Sequence, residues 1–197
     1  MNLRNNEQRW GLITVSIHWI TAITVIGMFS LGLWMVELTY YDQWYRQAPF
    51  IHKSIGVLLF LLTVARLLWR SLNPKPVELE EHTPIERRAA HMVHTLIYLL
   101  LFSIMISGYL ISTADGRSVD VFNWFSIPAT LHGIEQQEDI AGLIHLVLAI
   151  SLLIIVLSVM NGFGNELRDR TLSMTSHATV SGYDGYLRDW PAAIAKA

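Results

Sequence analysis

The sequence contains no cysteine. That excludes disulfides, thioether attachment of a c-type haem and thiolate ligation of an iron–sulfur cluster, and it leaves any metal to eight histidines or to carboxylates. Charge is also scarce. Asp, Glu, Lys and Arg make up 15% of the 197 residues with a formal net charge of −2, so there is no basic stripe for nucleic acid. With 52% hydrophobic residues and a mean hydropathy of +0.38, the chain is too apolar to be a solvated domain of this size. The lipid bilayer is the solvent that fits.

A helical span needs roughly 20 apolar residues, and four stretches supply them, at about 11–35, 53–71, 88–112 and 139–160. None alternates polar and apolar residues as a barrel strand would, so the expected fold class is all-α, a four-helix transmembrane bundle. The first run is too long for a signal-peptide core and no small-residue cleavage site follows it, so it is read as a retained span. Thr83-Pro84-Ile85-Glu86 has the form of a capping box with proline at the first helical position, which starts span three near Pro84.

Lysine and arginine in short loops set the orientation. Arg4, Arg9, Arg66, Arg70, Lys75, Arg87 and Arg88 fall on one side, against Arg46, Lys53 and Arg117 on the other, so both termini are expected to be cytoplasmic. Trp34, Tyr40, Tyr41, Trp44 and Tyr45 then form an aromatic belt at the outer interface. The outer segment from Thr113 to Glu138, with Gly116, Phe122, Trp124, Phe125 and Pro128, has the composition of a short structured cap.

Ionisable residues inside a span are costly in lipid and mark function by default. Four histidines qualify: His18 about two turns into span one, His52 opening span two, His94 early in span three and His145 early in span four. The up-and-down order puts His52 and His145 at the outer level, and His18 and His94 at the inner one. Two neutral imidazoles facing one another are what a b-type haem requires, and His52 and His145 form such a pair. Fourteen residues, four turns and about 21 Å, return to the same helix face in a left-handed bundle. From His18 that step reaches Gly32, from His52 it reaches Arg66 and from His94 it reaches Gly108, whereas from His145 it reaches Val159. Gly32 and Gly108 would leave room for a macrocycle, and Arg66 would suit a haem propionate. The plainer readings are that a lone intramembrane histidine bonds one helix to another and that Gly27, Gly32, Gly56 and Gly108 serve close packing. Arg70 reads as a positive-inside anchor, His91 as a headgroup-level residue, and His82, His132 and His177 as solvated.

His18-Trp19, Leu31-Gly32-Leu33-Trp34, His52-Lys53-Ser54-Ile55-Gly56, Arg66-Leu67-Leu68-Trp69-Arg70, His94, Ser107-Gly108-Tyr109 and His145, in this order, resemble the prokaryotic cytochrome b561 family over roughly residues 8–158. The resemblance implies a four-helix inner-membrane protein with two b haems, some members of the family oxidising superoxide and passing the electron to ubiquinone. It implies an outer haem on His52 and His145 and an inner haem on His18. The family's second inner ligand comes from the end of span four, where this chain has Val159 and Asn161 and no histidine before His177. His94, Arg66 and the two glycines complete the expected set, with His94 a candidate to replace the missing ligand; the alternatives are a five-coordinate haem on His18 and an empty inner site.

The stretch from Val156 to Arg170 is instead similar to the transmembrane subunits of lipoprotein-releasing transporters. The expected division is therefore a haem-binding domain over 8–160 and a foreign, poorly ordered tail over 161–197. The expected function is electron transfer between an outer-face donor, with superoxide a candidate, and a membrane quinone. The competing readings are a haem-bearing anchor for a dehydrogenase or hydrogenase partner subunit, and a non-functional hybrid lacking the inner haem.

Overall fold

A computed structural model of the chain describes residues 2–77 and 84–174. His82, His177, Thr83 of the expected capping box and residues 175–197 of the expected tail lie outside the described residues. Four helices follow in order: α1 (Leu12–Met35), α2 (Gln47–Leu72), α3 (Pro84–Ser112) and α4 (Gln137–Met174), with strands β1 (Val119–Val121) and β2 (Phe125–Ile127) between the last two. All four helices are long and apolar enough to cross a membrane. The chain divides into two units, residues 1–153 and 154–197.

In the first unit the usual inside and outside are exchanged. Beside Leu59, Leu101 and Leu152, many buried positions are small or weakly polar, among them Thr21, Ala48, Ser54, Thr63, Ser107 and Ala141, while Trp19, Ile23, Ile26 and Leu143 face outward. Lipid tails are as apolar as leucine, so large side chains gain little by turning inward, and small ones let backbones approach. The buried Thr21 and Thr63 hydroxyls donate to the carbonyls of Ile17 and Leu59 one turn back.

The start of α1 has no side-chain cap. Its first amides are met by a chain that folds back, Leu12 N–H donating to Asn2 O and Ile13 N–H to Leu3 O. Buried Asn5 ties this segment to the end of α2, donating to Pro74 O and accepting from Gly11 N–H and the Thr14 hydroxyl. At the other end of the bundle Trp34, Tyr40, Tyr41, Trp44 and Tyr45 make ring contacts in and beside the α1–α2 connection.

The segment between α3 and α4 contains a β-hairpin, an addition to the all-helical expectation. Phe122 and Asn123 both have positive φ, 47° and 58°, and Trp124 N–H closes a turn on Val121 O at 2.8 Å within the connection between paired Val121 and Phe125. Val119 and Val121 are buried. The fully buried Ser54 hydroxyl pins the hairpin to α2, donating to Asp120 O and accepting from Phe122 N–H, both at 3.2 Å.

In the second unit α4 continues through residues 161–174, beyond the apolar run that ended at 160. Gly162 and Gly164 each cost about 1 kcal/mol in a helix without ending it, and an Arg170–Glu166 pair at 2.7 Å supports the polar extension.

Candidate functional site

The fourteen-residue spacings on α1 and α2 run in opposite directions, and the structure joins them at both ends. His18 meets Arg66 at one level, and Gly32 meets His52 at the other. On the remaining helices Gly108 of α3 meets His145 of α4. His52 and His145 come together, ring centroids 6.3 Å apart and planes at 70°. Two imidazoles so close together could hold one metal ion between them.

The glycines serve the rings directly. A Cβ on Gly108 would lie 3.1 Å from His145 Cε1 and 3.3 Å from its Nδ1, and a Cβ on Gly32 would lie 3.3 Å from His52 Cε1. Each glycine therefore holds a notch for the imidazole of a neighbouring helix. By contrast, a Cβ on Gly56 would make ordinary contact with Met28, and one on Gly27 would meet nothing within 4 Å.

Neighbours that can only accept, or only donate, fix three of the histidine tautomers. His145 Nδ1 lies 2.9 Å from Ile104 O, and a carbonyl only accepts, so Nδ1 carries the proton and Nε2 is a bare lone pair. The Ser107 hydroxyl, 3.2 Å from the same nitrogen, adds to this support. A backbone carbonyl holding Nδ1–H is the usual support of a metal-ligating histidine, raising its basicity and fixing its orientation. His94 has the same form, with Nδ1 2.7 Å from Ala90 O. His18 is the opposite case. Arg66 Nη2 lies 2.9 Å from His18 Nδ1; a guanidinium has no acceptor and is not deprotonated in proteins, so Nδ1 must be the bare nitrogen and Nε2 carries the proton.

His52 Nδ1 is buried and has no hydrogen-bond partner among the described residues. A buried ring nitrogen left open beside a second imidazole with a free lone pair is a donor set that suits iron between them. The outer pair thus fits a b-type haem. At the inner level Arg66 lies over the Tyr98 ring, 5.5 Å from its centroid, and Arg70 lies 6.0 Å from it. Among the described residues no group of three or more His, Cys, Asp or Glu side chains gathers as a metal cluster.

Four contributors were given no role of their own by the sequence reading. Ser107 and the Ile104 carbonyl orient His145, and Tyr98 receives Arg66; Ser107 entered the sequence reading only as part of the Ser107-Gly108-Tyr109 motif, and Tyr98 is an unremarkable residue in an apolar helix. Ser54, two residues after His52, anchors the hairpin over the outer end, and only the pairing across 66 residues shows it.

The family model described as prokaryotic cytochrome b561 matches residues 9–175. Cytochrome b561 homolog 2 of Escherichia coli (strain K12) is 53% identical over 163 residues, 83% of this chain and 86% of that protein. The probable superoxide oxidase CybB of Yersinia pestis is 27% identical over 148 residues, 73% of this chain and 80% of its own. A further similarity, 43% over 66 residues, is to the lipoprotein-releasing system transmembrane protein LolC of Xylella fastidiosa (strain Temecula1 / ATCC 700964); it covers 34% of this chain and 16% of that protein.

Proposed function

Since the chain belongs to the prokaryotic cytochrome b561 family and is thereby a multi-pass bacterial membrane protein, we propose that it is an inner-membrane b-type cytochrome that exchanges single electrons at an outer haem held by His52 and His145. The observation that carries the reading is the outer pair itself: two imidazoles at 6.3 Å, one with its lone pair freed by Ile104 O, the other with a buried nitrogen lacking a partner. Haem b, the cofactor the family implies, supplies a reversible one-electron carrier in a low-dielectric setting.

The chain's own residues do the rest. Gly32 and Gly108 admit the rings, Ile104 O and Ser107 hold His145 in its ligating tautomer, and Ser54 fastens the hairpin to the helix that bears His52. The donor reaches the outer face, and superoxide is the candidate supported by the name of the Yersinia pestis relative. The acceptor is a quinone in the bilayer around the helices. At the inner level His18 has no histidine of α4 to pair with, since Val159 stands fourteen residues after His145.

The test is the pyridine haemochrome ratio of the purified full chain beside its His52→Ala and His145→Ala variants. A reducible b-type spectrum that either substitution abolishes is the expected result. Haem retained at full ratio in both variants would overturn the assignment.

A further inference from the structure

We propose that Arg66 is a latch on His18, withholding it from iron: the guanidinium and a metal compete for one imidazole, and in this chain the guanidinium holds it. This concerns the inner level only and rests on the outer-site reading solely for the haem that remains. Both ring nitrogens of neutral His18 are committed, Nδ1 as acceptor from Arg66 at 2.9 Å and Nε2 as bearer of the proton. Ligation through Nε2 would move that proton to Nδ1, the position Arg66 occupies, and ligation through Nδ1 would displace Arg66 outright.

The latch is stable because Arg66 has little else. Neither α1 nor α2 contains a carboxylate, and the cation's other contact is the face of Tyr98 at 5.5 Å. A guanidinium stripped of its acceptor inside a span is costly. Against that, a metal held by His18 would find no histidine from α4 to share it, because the sequence has none between His145 and His177. A haem propionate is the one ligand group that would give Arg66 a better partner than His18, and it is the competitor the experiment must expose.

Haemin titration of the full chain in detergent, for wild type, His18→Ala, Arg66→Met and the Arg66→Met/His18→Ala double variant, tests this. Wild type should saturate near one haem per chain, His18→Ala should leave that ratio unchanged, and Arg66→Met should rise toward two, with the gain lost in the double variant. A wild-type ratio near two that His18→Ala halves would overturn the latch in favour of a propionate drawing Arg66 away, and an Arg66→Met ratio that stays at one would equally overturn it. Histidine-selective nitrogen NMR of the wild-type apo chain reads the same claim without a variant: His18 protonated at Nε2 is expected, and His18 protonated at Nδ1 refutes it. Failure of the outer-site reading would show separately, as haem retained in His52→Ala or absent from wild type, and the His18 tautomer would still decide the latch.

Discussion

Gly108→Ala adds one methyl group where the structure allows least. Its Cβ would stand 3.1 Å from His145 Cε1, short of the optimal carbon–carbon contact of about 3.5 Å by about 0.4 Å. The ring must yield by that amount while its Nδ1 stays bonded to Ile104 O at 2.9 Å. Ligand constellations tolerate roughly 0.5 Å, so alanine sits at the limit and valine beyond it. The helix itself should gain, because alanine exceeds glycine by about 1 kcal/mol in a helix interior. Apo-protein stability and haem affinity are therefore expected to move in opposite directions, with affinity falling about tenfold to a hundredfold, the range for disturbing the support of a metal ligand. Gly32→Ala should cost less. Its Cβ would stand 3.3 Å from His52 Cε1, and His52 has no hydrogen bond on Nδ1 to resist a small shift. Gly142→Ala, where nothing lies within 4 Å, is the control and should change haem affinity by nothing measurable. Haemin titration with thermal unfolding of the apo chain reads all three. Equal affinities for Gly108→Ala and Gly142→Ala would refute the notch argument.

Ser54→Ala should leave the Phe122 amide without its buried acceptor, a loss of about 1–3 kcal/mol seen as faster hydrogen exchange at Phe122 with the helices unaffected. Tyr109→Phe removes a hydroxyl that donates to Pro128 O at 2.7 Å and accepts from Thr130 N–H at 2.9 Å, so proteolysis in residues 128–133 should accelerate. Asp42, which accepts from the Thr39 amide at 2.7 Å and its hydroxyl at 2.8 Å, is held below the usual carboxylate range chiefly by the amide. The turn's contribution is thus present above the unfolded-state value and lost as pH falls through the lowered one; carboxyl NMR should show a midpoint below that of a model peptide, and an unshifted midpoint would argue against the turn.

The residues themselves determined the solvent, the number of spans, the absence of thiolate chemistry and which histidines are candidates, because in lipid a long apolar run has few alternatives to a helix and each intramembrane histidine is conspicuous. The fourteen-residue steps from His18 to Gly32 and from His52 to Arg66 were also legible, as helix periodicity alone fixes which positions share a face. Which notch takes which ring was not. That Gly32 receives His52 and Gly108 receives His145 depends on how neighbouring helices set their faces against each other, and periodicity within one helix carries no such information. Nor does spacing assign a proton. The tertiary structure decided that His145 faces a carbonyl and His18 a guanidinium, so two histidines that read alike along the chain differ in which nitrogen is free. The hairpin was equally hidden, since its three-residue strands are too short for a pattern and the hydroxyl that fastens them comes from another helix.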